Sequence, residues 1–175
     1  MIEERVKEII RNVPDFPKPG ILFKDITPLF LHPELCTEIL QFFCNRCSGR
    51  KIDAIASVES RGFIFGFALA QKLNVPFIPV RKAGKLPFKT LSFEYNLEYG
   101  SAKMEIHKDA LKPGDNVLVH DDLLATGGTA AAASELIQML GGTIAGYAFL
   151  VELGFLNGSK ILKKYSSDLF TLAKY

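Results

Sequence analysis

The chain has few of the features that mark secreted, membrane-spanning or nucleic-acid-binding proteins. Its 175 residues include only three cysteines, and an odd number argues against a full disulfide framework. No apolar run approaches the ~18 residues that a membrane-spanning helix needs, and the charged start "MIEERVKEIIRN" does not resemble a signal peptide. The formal charge is +2, from 21 basic and 19 acidic residues, which points neither to nucleic acid nor to a membrane surface. We therefore expect a cytoplasmic protein that binds neither.

The cysteines leave one alternative, a zinc site. Cys44 and Cys47 form a CxxC, Cys36 precedes them, and His32 lies nearby. A structural zinc site needs four converging ligands, usually from two separated pairs. The apolar residues of 35–43 repeat at helical spacing. We interpret the segment as a helix, running roughly over residues 33–47, that carries ordinary cysteines.

The length fits one domain over residues 1–175, and no repeat, low-complexity segment or linker divides the chain. After a first helix and the turning segment "PDFPKPG", apolar strand patterns alternate with helical patterns. This alternation is typical of parallel strands joined by right-handed crossovers. It predicts an open, mostly parallel, twisted α/β sheet flanked by helices. We count five strands: "IDAIASV", "VPFIPV", "DNVLVHD", "TIAGYAFLVEL" and "SDLFTLAKY".

Residues 82–107 break this alternation. Within them, "SFEYNLEYG" and "SAKMEIH" indicate a β-hairpin. A long insertion at a strand end is usually functional and often forms a lid. We therefore expect a hood over a binding site.

The stretch "VLVHDDLLATGGT" carries the strongest local signal. Residues 117–120 are predicted as strand, and a helix is expected to start near Gly128 or Thr129. A helix N-terminus exposes unpaired N–H groups that bind phosphate. Gly127 and Gly128 let a ligand approach the backbone closely, and Thr126 and Thr129 add hydroxyl donors. The loop has neither the GxxxxGK[ST] nor the GxGxxG spacing, and a GG pair alone also fits a plain tight turn.

Two carboxylates, Asp121 and Asp122, precede this loop. They would repel a phosphate unless they face hydroxyl groups or a divalent cation. A ribose phosphate carries both a phosphate for the loop and a diol for the acids.

This stretch resembles the phosphoribosyl-pyrophosphate motif of the type I phosphoribosyltransferases. The stretches "DFPKPGILFKDITPLF", "ESRGFIFG", "VRKAGKLP" and "LEYG" narrow the resemblance to the members that use adenine. It runs from about residue 12 to residue 156, with the motifs in the family's order. It implies transfer of phosphoribose from 5-phosphoribosyl 1-diphosphate (PRPP) to adenine, giving AMP and diphosphate. Mg²⁺ and a homodimer are implied as well.

The resemblance also assigns residues to the two phosphate groups. It implies that the 5-phosphate is bound by Ala125, Thr126, Gly127, Gly128 and Thr129. Asp121 and Asp122 would take the ribose hydroxyls and help to place Mg²⁺, which the donor's own oxygens and water mostly hold. The diphosphate would be met by Ser60, Arg61 and Gly62, and by Arg81, Lys82 and Lys85, some of these last three from a partner subunit. Arg61 would stabilise the departing oxygens. Lys82 and Lys85 also fit solvated surface charges.

For the base, the resemblance implies an apolar slot. Phe23 would stack on adenine, Leu156 would close the other face, and the main chain at Leu22 and Lys24 would read the base edge. Glu98, in "LEYG", would assist proton movement at the purine imidazole ring. Core packing remains the alternative for the apolar residues, and an exposed loop carboxylate remains the alternative for Glu98.

Four positions depart from the family's common pattern. Lys24 stands where arginine is frequent, His120 where valine is common, and Phe88 where glycine or a polar residue is more usual. Glu59 stands where some relatives carry aspartate or another residue.

Two rival functions remain: a PRPP-sensing regulator without chemistry, and an enzyme for a 6-oxopurine. The first would need a DNA-binding element and the second a donor for O6, often a lysine; neither is evident.

Overall fold

The computed structural model describes residues 1–96 and 101–175. The helices are α1 (Ile2–Ile9), α2 (Pro33–Cys47), α3 (Gly62–Leu73), α4 (Gly128–Met139) and α5 (Gly158–Leu162), with 3-10 turns at Thr27–Leu31 and Gly154–Leu156. The strands are β1 (Arg11–Pro14), β2 (Leu22–Asp25), β3 (Ala54–Val58), β4 (Phe77–Lys82), β5 (Thr90–Asn96), β6 (Ser101–His107), β7 (Asn116–Leu124), β8 (Thr143–Glu152) and β9 (Leu169–Lys174). The predicted second helix is confirmed at residues 33–47.

The main sheet has seven strands, in the order β5-β6-β4-β3-β7-β8-β9, so the predicted count of five was wrong. The five predicted strands form its parallel part, β4-β3-β7-β8-β9. The hairpin β5–β6 adds two antiparallel strands, because β6 pairs with the end of β4 at Arg81↔Glu105 and Lys82↔Met104. The sequence pattern indicates the hairpin but not the strand that it joins.

Helices cover both faces of the parallel part. On one face α2 and α3 bury residues such as Ile39, Phe43 and Leu69. On the other face the alanine-rich α4 buries residues such as Ala133 and Leu136. Within the part of the chain that the structure describes, no helix has both the length and the apolar character needed to cross a membrane.

The strand order determines where a ligand fits. The chain runs outward from β3 to β4 on one side and from β7 to β9 on the other, so the order reverses between β3 and β7. In open α/β sheets the crevice beyond the carboxyl ends of two such strands is the usual ligand site. Strand β7 continues to Leu124 rather than ending at residue 120 as predicted. The two acids therefore belong to the last part of this strand.

Candidate active site

A cavity of about 390 Å³ lies beyond the carboxyl ends of β3 and β7. Its walls come from the turn after β3, from the end of β7 with the loop that follows, and from Lys82 and Tyr95. The following predicted site residues line it: Ser60, Arg61, Lys82, Asp121, Asp122, Ala125, Thr126, Gly127, Gly128 and Thr129. Residues distant in the sequence thus meet where the strand order reverses.

The loop between β7 and α4 is held by close packing of backbone on backbone. Helix α4 begins at Gly128, as predicted, and Gly127 before it has φ +84°. A Cβ on Gly127 would lie 2.6 Å from the carbonyl oxygen of Gly158, and a Cβ on Gly158 would lie 2.2 Å from that of Ala125. The N–H groups of the first turn of α4 have no partner within the helix, so they can bind an anion.

The two acids differ in their surroundings. Asp122 is buried, and its Oδ2 lies 2.9 Å from Nε of Arg61. The Oδ1 of Asp121 accepts the backbone N–H of Asp122 at 2.8 Å. Burial, followed by the charge of Asp122, raises the pKa of Asp121 well above its usual range. Burial also raises the pKa of Asp122, against the opposing effect of Arg61. The pair therefore favours cations and hydroxyl donors, which stabilise the ionised forms.

Arg61 connects the acids to the N-terminal hairpin. Its Nε faces Asp122, and its Nη1 contacts the carbonyl oxygen of Lys24 at 3.5 Å. Its Cζ lies 4.8 Å from the centroid of the Phe23 ring. The Phe23 ring also packs edge-on against Phe16, with centroids 5.0 Å apart. One guanidinium thus spans the carboxylate pair and the segment predicted to bind the base.

Arg81 and Lys85 do not line the cavity. Arg81 donates from Nε to Glu59 Oε2 at 2.5 Å and from Nη1 to the carbonyl oxygen of Lys85 at 3.0 Å. The N–H groups of Lys85 and Leu86 donate to the buried Glu105 Oε1 at 2.9 and 2.7 Å. Arg81 therefore holds the loop that follows β4. To contact a diphosphate as predicted, its side chain would have to leave Glu59 and the carbonyl oxygen of Lys85.

The remaining predicted residues lie as follows. Gly62 starts α3, where a Cβ would approach Asp121 Oδ1 to 2.7 Å, so only glycine fits without a shift. Leu22 and Leu156 are exposed, which disfavours core packing for both. Neither they nor Phe23 and Lys24 line the cavity itself, so their contact with a base stays a prediction. Phe88 is exposed with φ +68°. Glu98 lies outside the described residues, so its role stays a prediction.

Sequence reasoning missed Tyr95, which lines the cavity, and Gly158, which packs behind its loop. The Tyr95 hydroxyl lies 3.2 Å from Oγ1 of Thr129, which joins the hairpin to the predicted phosphate loop. Gly158 supports the same loop through the close packing described above. The aromatic character of the hairpin was a weak signal for Tyr95. Nothing in the sequence around Gly158 pointed to a loop so far away along the chain.

His120 is fully buried one residue before the acids. It pairs in register with Ser57 of β3, and the ring of Phe43 meets its ring edge-on at 5.2 Å. Neither ring nitrogen of His120 makes a hydrogen bond of standard geometry among the described residues, although the backbone of Ala148 lies close enough to oppose the effect of burial on the pKa. Burial lowers the pKa of His120 to about 4. The residue is therefore neutral near pH 7.

Replacing His120 with valine should remove a pH dependence of stability. Between pH 6.5 and pH 4 the unfolded chain binds a proton at this histidine that the folded chain does not bind. Stability is therefore complete above the unfolded pKa and falls as the pH drops, by about 2 kcal/mol at pH 5. Urea unfolding of the parent and of His120→Val at pH 7.5 and pH 5 measures the difference. A stability difference between the two proteins that is equal at both pH values would contradict this account.

Comparison with known proteins identifies the class. The model of the phosphoribosyl transferase domain matches residues 31–173, so the chain belongs to the phosphoribosyltransferase family. Adenine phosphoribosyltransferase of Sorangium cellulosum is 55% identical over 93% of this chain and 82% of that protein. The same enzyme of Cytophaga hutchinsonii is 48% identical over 100% of this chain and 97% of that protein. Within the family, the chain belongs to the adenine phosphoribosyltransferases, which are transferases, as the motifs predicted.

Solved structures agree with this assignment. The crystal structure of adenine phosphoribosyltransferase from Thermoanaerobacter pseudethanolicus superposes with a TM-score of 0.95, at 49% identity and with all of both chains covered. The enzyme from Saccharomyces cerevisiae, solved with an imino-altritol bisphosphate and adenine, gives 0.91 at 43% identity over 98% of each chain.

Proposed function

We propose that the cavity beyond β3 and β7 is where this chain transfers the 5-phosphoribosyl group from PRPP to adenine, giving AMP and diphosphate. Residues 1–175 act as one domain in this proposal, in the cytoplasm. The observation that carries it is that Asp121 and Asp122 face the same cavity as the glycine loop that starts α4. A ligand with a phosphate and a diol satisfies both. The relative from Trypanosoma brucei was solved with AMP, pyrophosphate and ribose-5-phosphate.

Each wall of the cavity then has a task. The first turn of α4, with the hydroxyls of Thr126 and Thr129, holds the 5-phosphate. Asp121 and Asp122 accept hydrogen bonds from the ribose hydroxyls. Ser60 and Lys82 meet the diphosphate. A guanidinium has five N–H donors, so Arg61 can keep Asp122 while its other edge stabilises charge on the leaving oxygens.

Mg²⁺ fits this site as an ion that arrives with the donor. Within residues 1–96 and 101–175, no group of three or more His, Cys, Asp or Glu side chains could hold a metal ion. Asp122 already has Arg61 as a partner. Asp121 and Asp122 would therefore hold the ion indirectly, through water. Its direct ligands would be water and phosphate oxygens, as Mg²⁺ commonly prefers. Its chemical contribution is to neutralise charge on the diphosphate.

The function is tested by incubating the protein with PRPP, Mg²⁺ and one base at a time. We expect AMP from adenine and no nucleotide from hypoxanthine or xanthine. Reaction with a 6-oxopurine but not with adenine would reject the specificity. Tight PRPP binding without reaction of any base would favour a PRPP-sensing regulator over an enzyme.

Glu98→Gln should lower kcat by about 10²–10⁴-fold, the usual contribution of a general acid or base. The amide keeps the size of the side chain but cannot move the proton. Single-turnover kinetics measure the chemical step directly, so slow product release does not hide the effect. Glu94→Gln, on strand β5, is the matched control. An unchanged single-turnover rate in Glu98→Gln would refute the role.

The homodimer fits an apolar face of α3. Ile64 is 47% exposed and Phe67 is 53% exposed on this helix. The helix starts at the turn that carries Arg61, so a second copy docked there would lie near the cavity. Lys85 stays outside the cavity of its own chain, which suits a contribution to the partner's site.

Light scattering should give twice the 19.4 kDa of one chain for the parent protein, whereas Phe67→Asp should give the mass of one chain. A parent protein with the mass of one chain would exclude this dimer.

A further inference from the structure

Lys24 is a buried cation that has no acidic partner within the described part of the chain. Its residue is only 8% exposed, and lysine is rarely buried unless paired. Its Nζ donates to Asn12 Oδ1 at 2.6 Å and lies 3.7 Å from the ring centroid of Tyr175. Among the described residues, no carboxylate lies within ion-pair distance of this ammonium. The face of the Tyr175 ring therefore takes the place of a carboxylate, by a cation–π contact.

This contact ties down a segment that the main sheet does not hold. Strands β1 and β2 form a two-stranded sheet of their own, so contacts of their side chains and carbonyls hold them against the domain. The backbone carbonyl of Lys24 contacts Arg61, whose guanidinium also lies over the neighbouring Phe23. The position of the Phe23 ring thus depends on where Lys24 is anchored.

The backbone of Tyr175 contacts the segment that precedes Leu156. Its N–H donates to the carbonyl oxygen of Glu152 at 2.9 Å, and its carbonyl oxygen accepts the N–H of Gly154 at 2.8 Å. Gly154 starts the 3-10 turn that ends at Leu156. One residue therefore contacts both segments between which the base is expected to lie.

We propose that Tyr175 is a positioning residue for the base: its ring fixes the Phe23 segment through Lys24, and its backbone fixes the Leu156 segment through Gly154. This inference rests on the proposed function, because it takes adenine to bind between Phe23 and Leu156. The Tyr175 hydroxyl is buried without a hydrogen-bond partner among the described residues, so the ring rather than the hydroxyl does the positioning.

The test compares Tyr175→Leu with the matched control Tyr175→Phe, which keeps the ring. A desolvated cation–π contact of about 1–2 kcal/mol corresponds to a rise of about 5–30-fold in KM for adenine in Tyr175→Leu. The KM for PRPP should stay within about twofold, since the 5-phosphate loop is untouched. Tyr175→Phe should match the parent in both. An unchanged KM for adenine in Tyr175→Leu, or an equal rise in both KM values, would overturn the proposal.

A second measurement does not depend on activity. In the protein without substrates, amide hydrogen exchange of residues 11–25 should quicken in Tyr175→Leu and not in Tyr175→Phe. If Tyr175→Leu fails to fold, Lys24→Met removes the same contact and should show the same change, and Lys24→Arg should restore protection, because a guanidinium also stacks on an aromatic face. Unchanged exchange in the folded variants would reject the proposal. Failure of the parent to make AMP would reject only the proposed function.

Discussion

Replacement of Arg61 by methionine should reduce kcat/KM by at least about 10²–10³-fold, the usual cost of losing one donor to developing charge. It should also destabilise the fold, because the buried Asp122 would lose the cation that stabilises its ionised form. Breaking a fully buried pair costs about 3–5 kcal/mol; because Arg61 is 28% exposed, we expect a smaller loss here, and a smaller one still when the acid takes up a proton. The stability loss should therefore shrink at low pH, where Asp122 protonates. Steady-state kinetics and urea unfolding at pH 7.5 and pH 5 measure both effects.

Two controls separate the role of Arg61 from a general loss of charge. Arg61→Lys keeps the charge but cannot span Asp122 and the carbonyl of Lys24 at once, so we expect an intermediate activity. Arg5 pairs with Glu38 on the surface, where ion pairs contribute little, so Arg5→Met should leave stability nearly unchanged and have no kinetic effect. A kcat/KM of Arg61→Met within threefold of the parent would remove Arg61 from the mechanism.

Gly158→Ala should raise the KM for PRPP by about tenfold to a hundredfold. The new Cβ would lie 2.2 Å from the carbonyl oxygen of Ala125 and 2.8 Å from the nitrogen of Gly127. Both are backbone atoms, so the predicted phosphate loop itself must move, and a shift of about 1 Å in a positioning group can cost about 10²-fold. The KM for adenine should change little. Kinetics with each substrate varied in turn measure the two values.

Gly114→Ala is the control for Gly158→Ala. Gly114 has φ +91° and no atom near its missing Cβ, so alanine there brings backbone strain without touching the cavity. It should lower the melting temperature and leave both KM values unchanged. If Gly158→Ala leaves the KM for PRPP unchanged, the loop does not hold the phosphate as proposed.

Local sequence was sufficient where one continuous stretch builds one part of the site. Residues 117–129 form a strand, a loop and a helix start in succession, so hydrophobic pattern and glycine spacing predicted the loop and the start of α4. The same reasoning placed the five parallel strands, because each is a separate apolar run. The acids were predicted to follow the strand, whereas β7 extends past them, since pairing with β8 continues to Leu124↔Glu152.

Contacts between distant segments could not be predicted in this way. The sequence indicated a hairpin in residues 82–107 but not its pairing with β4, because register depends on the two strands meeting in space. It also gave no sign that Arg61 reaches Asp122, that Arg81 is engaged by Glu59, or that the ring of Tyr175 supports Lys24. Each of these pairs joins elements brought together only by the completed sheet.

The junction between β4 and β6 couples two parts of the chain mechanically. The hairpin joins the parallel strands through two register pairs, Arg81↔Glu105 and Lys82↔Met104. Glu105 at this joint also accepts the N–H groups of Lys85 and Leu86, and these bonds lower its pKa although burial opposes them. Because of these shared hydrogen bonds, a movement of the hairpin relative to β4 would also move residues 82–86. Because Lys82 lines the cavity and pairs with Met104 of β6, a ligand that contacts Lys82 is thereby coupled to strands β5 and β6.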